Sequence, residues 1–171
     1  MAKPKLKITP ATMRQKLVLK RLLDTCLREL DAIRGRNAKR VLTYKYLDAY
    51  WTERGRYAFM GHVGKKIVGF ALVNAHVLLK KNKGAKAVAE FFIVQECRKK
   101  GLGAQMANRI FDLFPGKWEI SAYKANKTAL IFWEKVINRR TGGKFTIAAA
   151  KGMDGKMIFS FSSYVGIPPF Y

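Results

Sequence analysis

Apolar residues recur along this chain at two spacings, and the switches between them mark out its elements. Leu6-Lys7-Ile8 reads as a short first strand. Thr12-x-x-Gln15 is a capping-box signal for the helix that follows, which carries Leu19, Leu22, Leu23, Cys26, Leu27, Leu30 and Ile33 at helical spacing and ends at Gly35. Val41 to Trp51 gives a weaker second helix, rich in Tyr44, Tyr46, Tyr50 and Trp51. Tyr57 to Val63 and Lys66 to Val77 read as strands joined by a turn at Gly64. The apolar run Ala87 to Val94 reads as a buried strand, entered from the basic loop Lys80-Lys81-Asn82-Lys83-Gly84, whose Asn-x-Gly suggests a hairpin. Gln105 to Phe114 follows as a helix, with Leu102, Met106, Ile110 and Leu113 on one face and Pro115-Gly116 as its stop. Trp118 to Tyr123 is the next strand. Asn126 then caps a helix that turns Ala129, Leu130, Trp133, Val136 and Ile137 inward. Arg139 and Arg140 complement its negative end, and Gly142-Gly143 terminates it. Phe145 to Ala150 and Lys156 to Ser162 form a last hairpin around Asp154-Gly155. The order β-α-α-β-β-β-α-β-α-β-β predicts one mixed α/β domain over residues 1–171.

Composition adds a constraint on partners. The 171 residues include 34 Lys and Arg against 11 Asp and Glu, a net charge of +23. Such a surface attracts nucleic acid, anionic membrane or phosphorylated ligands, and a solvated lysine coat is the plain alternative. In the Lys80–Lys83 loop, solvation is the favoured reading. Cys26 and Cys97 form no C-x-x-C pair, so a reduced, cytoplasmic protein is expected. No run approaches the roughly 20 apolar residues of a membrane span. His62 and His76 stand alone, so no metal site is expected.

The chemistry concentrates at Arg98-Lys99-Lys100-Gly101-Leu102-Gly103-Ala104, a basic, glycine-containing turn from strand into helix. Small residues there let backbone N–H groups approach an anion, the new helix adds its positive end, and the cations add charge. A P-loop is excluded because no Gly-Lys-Ser/Thr run exists, and a dinucleotide fingerprint lacks its third glycine, Met106 following Gly101-Leu102-Gly103. Arg-x-x-Gly-x-Gly after a strand instead resembles the pyrophosphate motif of the GNAT superfamily of N-acetyltransferases. Asn126-Lys127-Thr128-Ala129-Leu130-Ile131-Phe132-Trp133-Glu134-Lys135 is similar to a second motif of that family, Asn-x-x-Ala-x-x-Phe-Tyr-x-Lys. Phe114-Pro115-Gly116-Lys117-Trp118-Glu119 resembles a little-characterised subgroup of its predicted acetyltransferases.

The resemblance covers nearly the whole chain. It implies a mainly antiparallel sheet flanked by helices, and acetyl-CoA as co-substrate. It places the pantetheine arm along the backbone of Phe92, Ile93 and Val94, and the pyrophosphate on Arg98 to Ala104. Asn126, Ala129 and Trp133 would flank the thioester or pantetheine end, although helix capping and core packing account for these three residues as well. Amine acetylation needs a base, a donor to the oxyanion and, optionally, an acid for the leaving thiolate. Glu90 is the one acid in the fourth strand and is the candidate base; a solvent-facing or lysine-paired carboxylate is its plain alternative. The N–H near Ile93 or Val94 is the candidate oxyanion donor. The family's frequent acid is a tyrosine where this chain has Trp133, whose indole N–H does not practically give up its proton, so Tyr123 is the substitute candidate. Arg34, Arg36, Lys39, Arg40, Tyr44, Tyr50 and Trp51 fall in the segment that usually walls the acceptor, and their positive charge argues mildly against polycationic acceptors. The expected activity is direct transfer of acetyl from acetyl-CoA to an unidentified primary amine in a ternary complex. The competing readings are an inactive basic protein that binds nucleic acid or the ribosome on the same fold, and an acetyl-CoA sensor. The acceptor and the oligomeric state are not readable from the residues.

Overall fold

In the computed structural model, which describes residues 5–36, 43–150, 152 and 155–164, seven strands follow the order β1-β2-β3-β4-β5-β7-β6 in a mainly antiparallel sheet. These are β1 (Lys7–Pro10), β2 (Tyr57–Val63), β3 (Lys66–Asn74), β4 (Lys86–Ile93), β5 (Gly116–Tyr123), β6 (Phe145–Ala149) and β7 (Lys156–Ser163). The helices are α1 (Lys16–Ile33), α2 (Ala49–Thr52), α3 (Leu102–Leu113) and α4 (Lys127–Thr141). The mixed α/β order is therefore the one the hydrophobic pattern predicts. Two compact units share the chain: Met1–Asn74 with Val88–Met106, and Ala75–Ala87 with Ala107–Tyr171.

In the first unit, β2 pairs antiparallel with both β1 and β3. The apolar stripe of α1 buries Leu19 and Leu23 completely against Met60, Phe70, Leu72 and Phe92. Burying a leucine side chain in this way is worth about 2 kcal/mol, so the stripe, more than helix propensity, holds α1 in place. Gln15 Oε1 accepts the Thr12 backbone N–H at 2.9 Å, the half of the capping box that the side chain of Gln15 supplies. Gly69 lets two strands approach closely: a Cβ there would overlap the Phe92 carbonyl oxygen and lie 2.9 Å from Ile93 Cδ1.

In the second unit, β7 pairs antiparallel with β5 and β6. Phe111 packs edge-on against Trp118 and Phe161, with ring centroids 5.0 and 5.2 Å apart. Arg140 reaches from the last turn of α4 to Ser163 Oγ at 3.0 Å and to Asp112 Oδ1 at 2.6 Å. It thus ties α4 to β7 and α3 as well as complementing its own helix end.

Several expectations need correction. The second helix spans only Ala49–Thr52, with turns at 45–48, and Lys39, Arg40 and Val41 lie outside the described residues. Trp51 explains the shortening: its indole N–H donates to the Ala11 carbonyl at 2.8 Å, so the aromatic run anchors a turn to the first strand's end. Leu113 is 52% exposed, and Phe111 fills the core position expected of it. Ile33, the last residue of α1, is 45% exposed. The third strand stops at Asn74. No tight Asn-x-Gly hairpin follows it, because Asn82 is buried in a 3-10 turn, Lys80–Asn82, inside a longer connection. Of the Asp154-Gly155 turn, Asp154 lies outside the described residues.

Candidate functional site

The turn after β4 has the backbone of an anion cradle. A short 3-10 turn, Gln95–Cys97, leads from the strand, and the chain then enters the left-handed region at Lys99 (φ 61°) and again at Gly101 (φ 77°). Lys99 is the one non-glycine residue with positive φ among the described residues. A side-chain-bearing residue held there costs about 1 kcal/mol or more, a kind of strain that gathers at ligand-binding turns. Left-handed turns of this type gather successive N–H groups into a concave nest, and the first-turn N–H groups of α3 extend it. Open space surrounds Gly101.

Two of the turn's three cations point elsewhere. Arg98 Nε donates to the Ile93 carbonyl at 2.8 Å, its Nη2 meets Glu29 Oε2 at 2.7 Å, and its guanidinium lies 5.1 Å from the Phe92 ring centroid. Lys100 Nζ donates to the Glu96 carbonyl at 2.7 Å. Lys99 is exposed and makes no hydrogen bond or ion pair among the described residues. Lys99 is thus the one cation of the turn without a side-chain partner among the described residues, while Arg98 braces the turn.

At the end of β4 the backbone divides its duties. The Val94 N–H donates to the Val68 carbonyl at 3.0 Å, which takes Val94 out of consideration as an oxyanion donor. Strand alternation turns the Ile93 N–H to the opposite edge, while the Ile93 carbonyl is held by Arg98. Phe92 is buried against α1.

Glu90 is half-buried on the same face of β4 as Phe92. Its carboxylate sits within electrostatic reach of Cys26, Tyr44 and Tyr50. Burial pushes the Cys26 thiol well above its ordinary range, and Glu90 and then Glu29 add to the rise. Burial does the same to Tyr44, followed by Glu90 and by the hydrogen bond to Tyr50. Tyr50 is raised by burial, although hydrogen bonds from Asn74 (Nδ2 to Oη, 3.1 Å) and Tyr44 partly offset it. The Arg56 guanidinium lies over the rings of Tyr46 and Tyr50, at 5.5 and 5.6 Å. Cys26, Tyr44 and Tyr50 therefore stay neutral at pH 7, and Glu90 is the acidic group within reach of all three. Cys26, Asn74 and Glu29 carried no signal of this role in the sequence, since each belongs equally well to a helix face or strand end.

The remaining candidates lie in the second unit. Asn126 Oδ1 accepts the Ala129 N–H at 3.1 Å, so this pair caps α4. Trp133 is 5% exposed and packs edge-on to Phe132 at 4.9 Å. Tyr123 is half-buried at the end of β5, with the Lys156 ammonium 4.8 Å from its ring centroid. Among the described residues no group of His, Cys, Asp and Glu could hold a metal ion, and no helix is long and apolar enough to cross a membrane.

The architecture is that of the GNAT acetyltransferases. An acetyltransferase from Thermus thermophilus superposes with a TM-score of 0.70 at 16% identity, over 95% of this chain and 99% of that one. A GNAT-family acetyltransferase from Bacillus cereus gives 0.63 at 15% identity, over 93% and 98%. The PaiA N-acetyltransferase of Thermoplasma acidophilum, solved with coenzyme A, gives 0.62 at 10% identity, over 92% and 99%. At these identities the likeness establishes the fold. Protein-family models and curated proteins give no match to the sequence.

Proposed function

We propose that this protein is an N-acetyltransferase that moves an acetyl group from acetyl-CoA to an amine within a ternary complex. The observation that carries the reading is the doubly left-handed turn at Lys99 and Gly101, set between β4 and α3 of a GNAT fold. Its N–H groups, those of residues 99–104, suit a pyrophosphate, and the fit needs no guanidinium. Phe92 and Ile93 would run beside the pantetheine arm, and Asn126, Ala129 and Trp133 remain candidates for its far end. Bound acetyl-CoA supplies an activated acyl group with a thiolate as leaving group.

In this reading Glu90 takes the proton that the attacking amine must lose. Burial keeps its neighbours Cys26, Tyr44 and Tyr50 protonated, so none of them competes with Glu90 as the base. The Ile93 N–H is the donor for the oxygen that gains charge as the C–N bond forms. Tyr123 is the candidate proton donor to the departing thiolate, since Trp133 is an indole packed in the core. No covalent enzyme intermediate is required.

Calorimetric titration with CoA, followed by thiol release from acetyl-CoA across an amine panel, tests the proposal. Binding at micromolar CoA and amine-dependent release are expected. No CoA binding at that concentration would overturn the reading, and Glu90→Gln with full turnover at every pH would remove Glu90 as base.

A further inference from the structure

Glu119 lies outside the proposed chemistry and is only 2% exposed. Its carboxylate accepts the backbone N–H of Leu78, that of Leu79 at 3.1 Å, and Asn82 Nδ2 at 2.7 Å. Asn82 Nδ2 also donates to Ser160 Oγ at 2.8 Å. Burying a carboxylate costs several kcal/mol unless its hydrogen bonds are complete, so this one is committed to fixing the connection between β3 and β4.

That connection carries a pure positive charge. From Ala75 to Ala85 there are three lysines and no acid. Asn82 points inward from the 3-10 turn, leaving Lys80, Lys81 and Lys83 exposed beside it, and Leu78 and Leu79 half-buried. Lys117, exposed on β5, shares its face with Glu119, two residues on. Across the β5–β7 pairing stand Ser162, opposite Lys117, and Ser160, opposite Glu119. Glu119 itself is filled by its donors. The clamped loop thus presents three exposed lysines, with Lys117 on β5 as a fourth and Ser160 and Ser162 on the neighbouring strand.

We propose that Lys80, Lys81, Lys83 and Lys117, held by the Glu119–Asn82 clamp, form a docking site for the phosphate backbone of nucleic acid. Lysine point charges on a fixed frame suit a regular polyanion and carry no base-reading geometry, so binding is sequence-independent. An anionic membrane fits less well, because membrane adsorption pairs lysines with exposed large apolar side chains and this loop's Leu78 and Leu79 are half-buried. The +23 net charge adds long-range attraction. Fixing the loop beforehand removes part of the ordering cost of binding.

The test is fluorescence anisotropy of the full chain with a single-stranded RNA of about 20 nucleotides, from about 50 to 300 mM KCl. The variant Lys80→Gln/Lys81→Gln/Lys83→Gln/Lys117→Gln is expected to bind at least about tenfold more weakly and to lose up to about 3 from the log–log salt slope. Lys5→Gln/Lys7→Gln/Lys20→Gln/Lys65→Gln, which removes the same charge from exposed positions elsewhere, should lose much less. Asn82→Ala, which leaves the charge unchanged, should weaken binding about threefold while circular dichroism shows a folded chain. Equal losses in the two quadruple variants would reduce the site to a diffuse coat and overturn the proposal. So would undetectable binding at low salt, tighter binding to phosphatidylserine vesicles than to RNA, or an Asn82→Ala protein that is folded and binds as wild type.

Discussion

Replacing Arg98 with alanine separates a bracing arginine from a phosphate-binding one. The substitution removes a charge-assisted hydrogen bond to the Ile93 carbonyl, made at 2.8 Å, of a kind worth about 1.5–3 kcal/mol. It removes an ion pair with Glu29 at 2.7 Å whose side chains are 39% and 37% exposed; solvent screening limits such a pair to about 0.2–1 kcal/mol. The contact with the Phe92 ring, at 5.1 Å, adds about 0.5–1 kcal/mol. These terms are not additive, since water can reach the freed carbonyl, and a net loss of about 2–3 kcal/mol is expected. For a chain of this length that lowers Tm by about 5–10 °C. Urea unfolding of wild type, Arg98→Ala, Glu29→Gln and the double variant should return a coupling of about 0.5–1 kcal/mol between the two side chains. CoA affinity, measured at a temperature where all four are folded, should fall less than about tenfold, because the cradle is backbone. An Arg98→Ala protein with unchanged stability and abolished CoA binding would refute the reasoning: the guanidinium would then serve the ligand and not the turn.

Lys99→Gly should raise stability by about 1 kcal/mol through relief of its left-handed backbone, with CoA affinity kept within a fewfold; a large loss of affinity would make the Lys99 side chain a principal ligand. Gly69→Ala should cost more than about 3 kcal/mol or yield insoluble protein, because strands β3 and β4 must separate; a Tm equal to wild type would contradict the close approach. Stability should decline above about pH 9, because thiol and phenol groups raised in the folded chain ionise first in the unfolded one. The groups concerned are Cys26, Tyr44 and Tyr50, with ordinary values of 9.0 and 10.0, and a Tm flat from pH 8 to about 11 would mean that water reaches these groups in the folded chain. Cys26 should resist iodoacetamide at pH 8 in the native chain and react on unfolding, as thiol mass spectrometry would register.

Much of this was legible beforehand because the relevant patterns are local. Helix α1 and strand β2 follow from spacing alone, and β4 ends one residue short of its expected end. The Asn126 cap needs only its own neighbours, three residues on. Two failures have a common cause. Val41 to Trp51 has helical spacing, but its aromatic side chains find partners outside the segment: Trp51 on Ala11, and Tyr50 on Asn74. Leu113 lies on the expected face of α3, but the helix ends there, and Phe111 reaches the aromatic core instead.

By itself the sequence determined the order of elements and the place of the turn at Arg98–Ala104, because periodicity and glycine placement act over a few residues. Only the tertiary structure decided what the charged groups do. Arg98 meets Glu29 across 69 positions of chain, which makes a brace of a presumed phosphate ligand. Glu90 lies within electrostatic reach of Cys26, Tyr44 and Tyr50, and Glu119 spends its charge on a loop about 40 residues earlier. A side chain's partner is set by which remote elements pack beside it, and no local spacing encodes that.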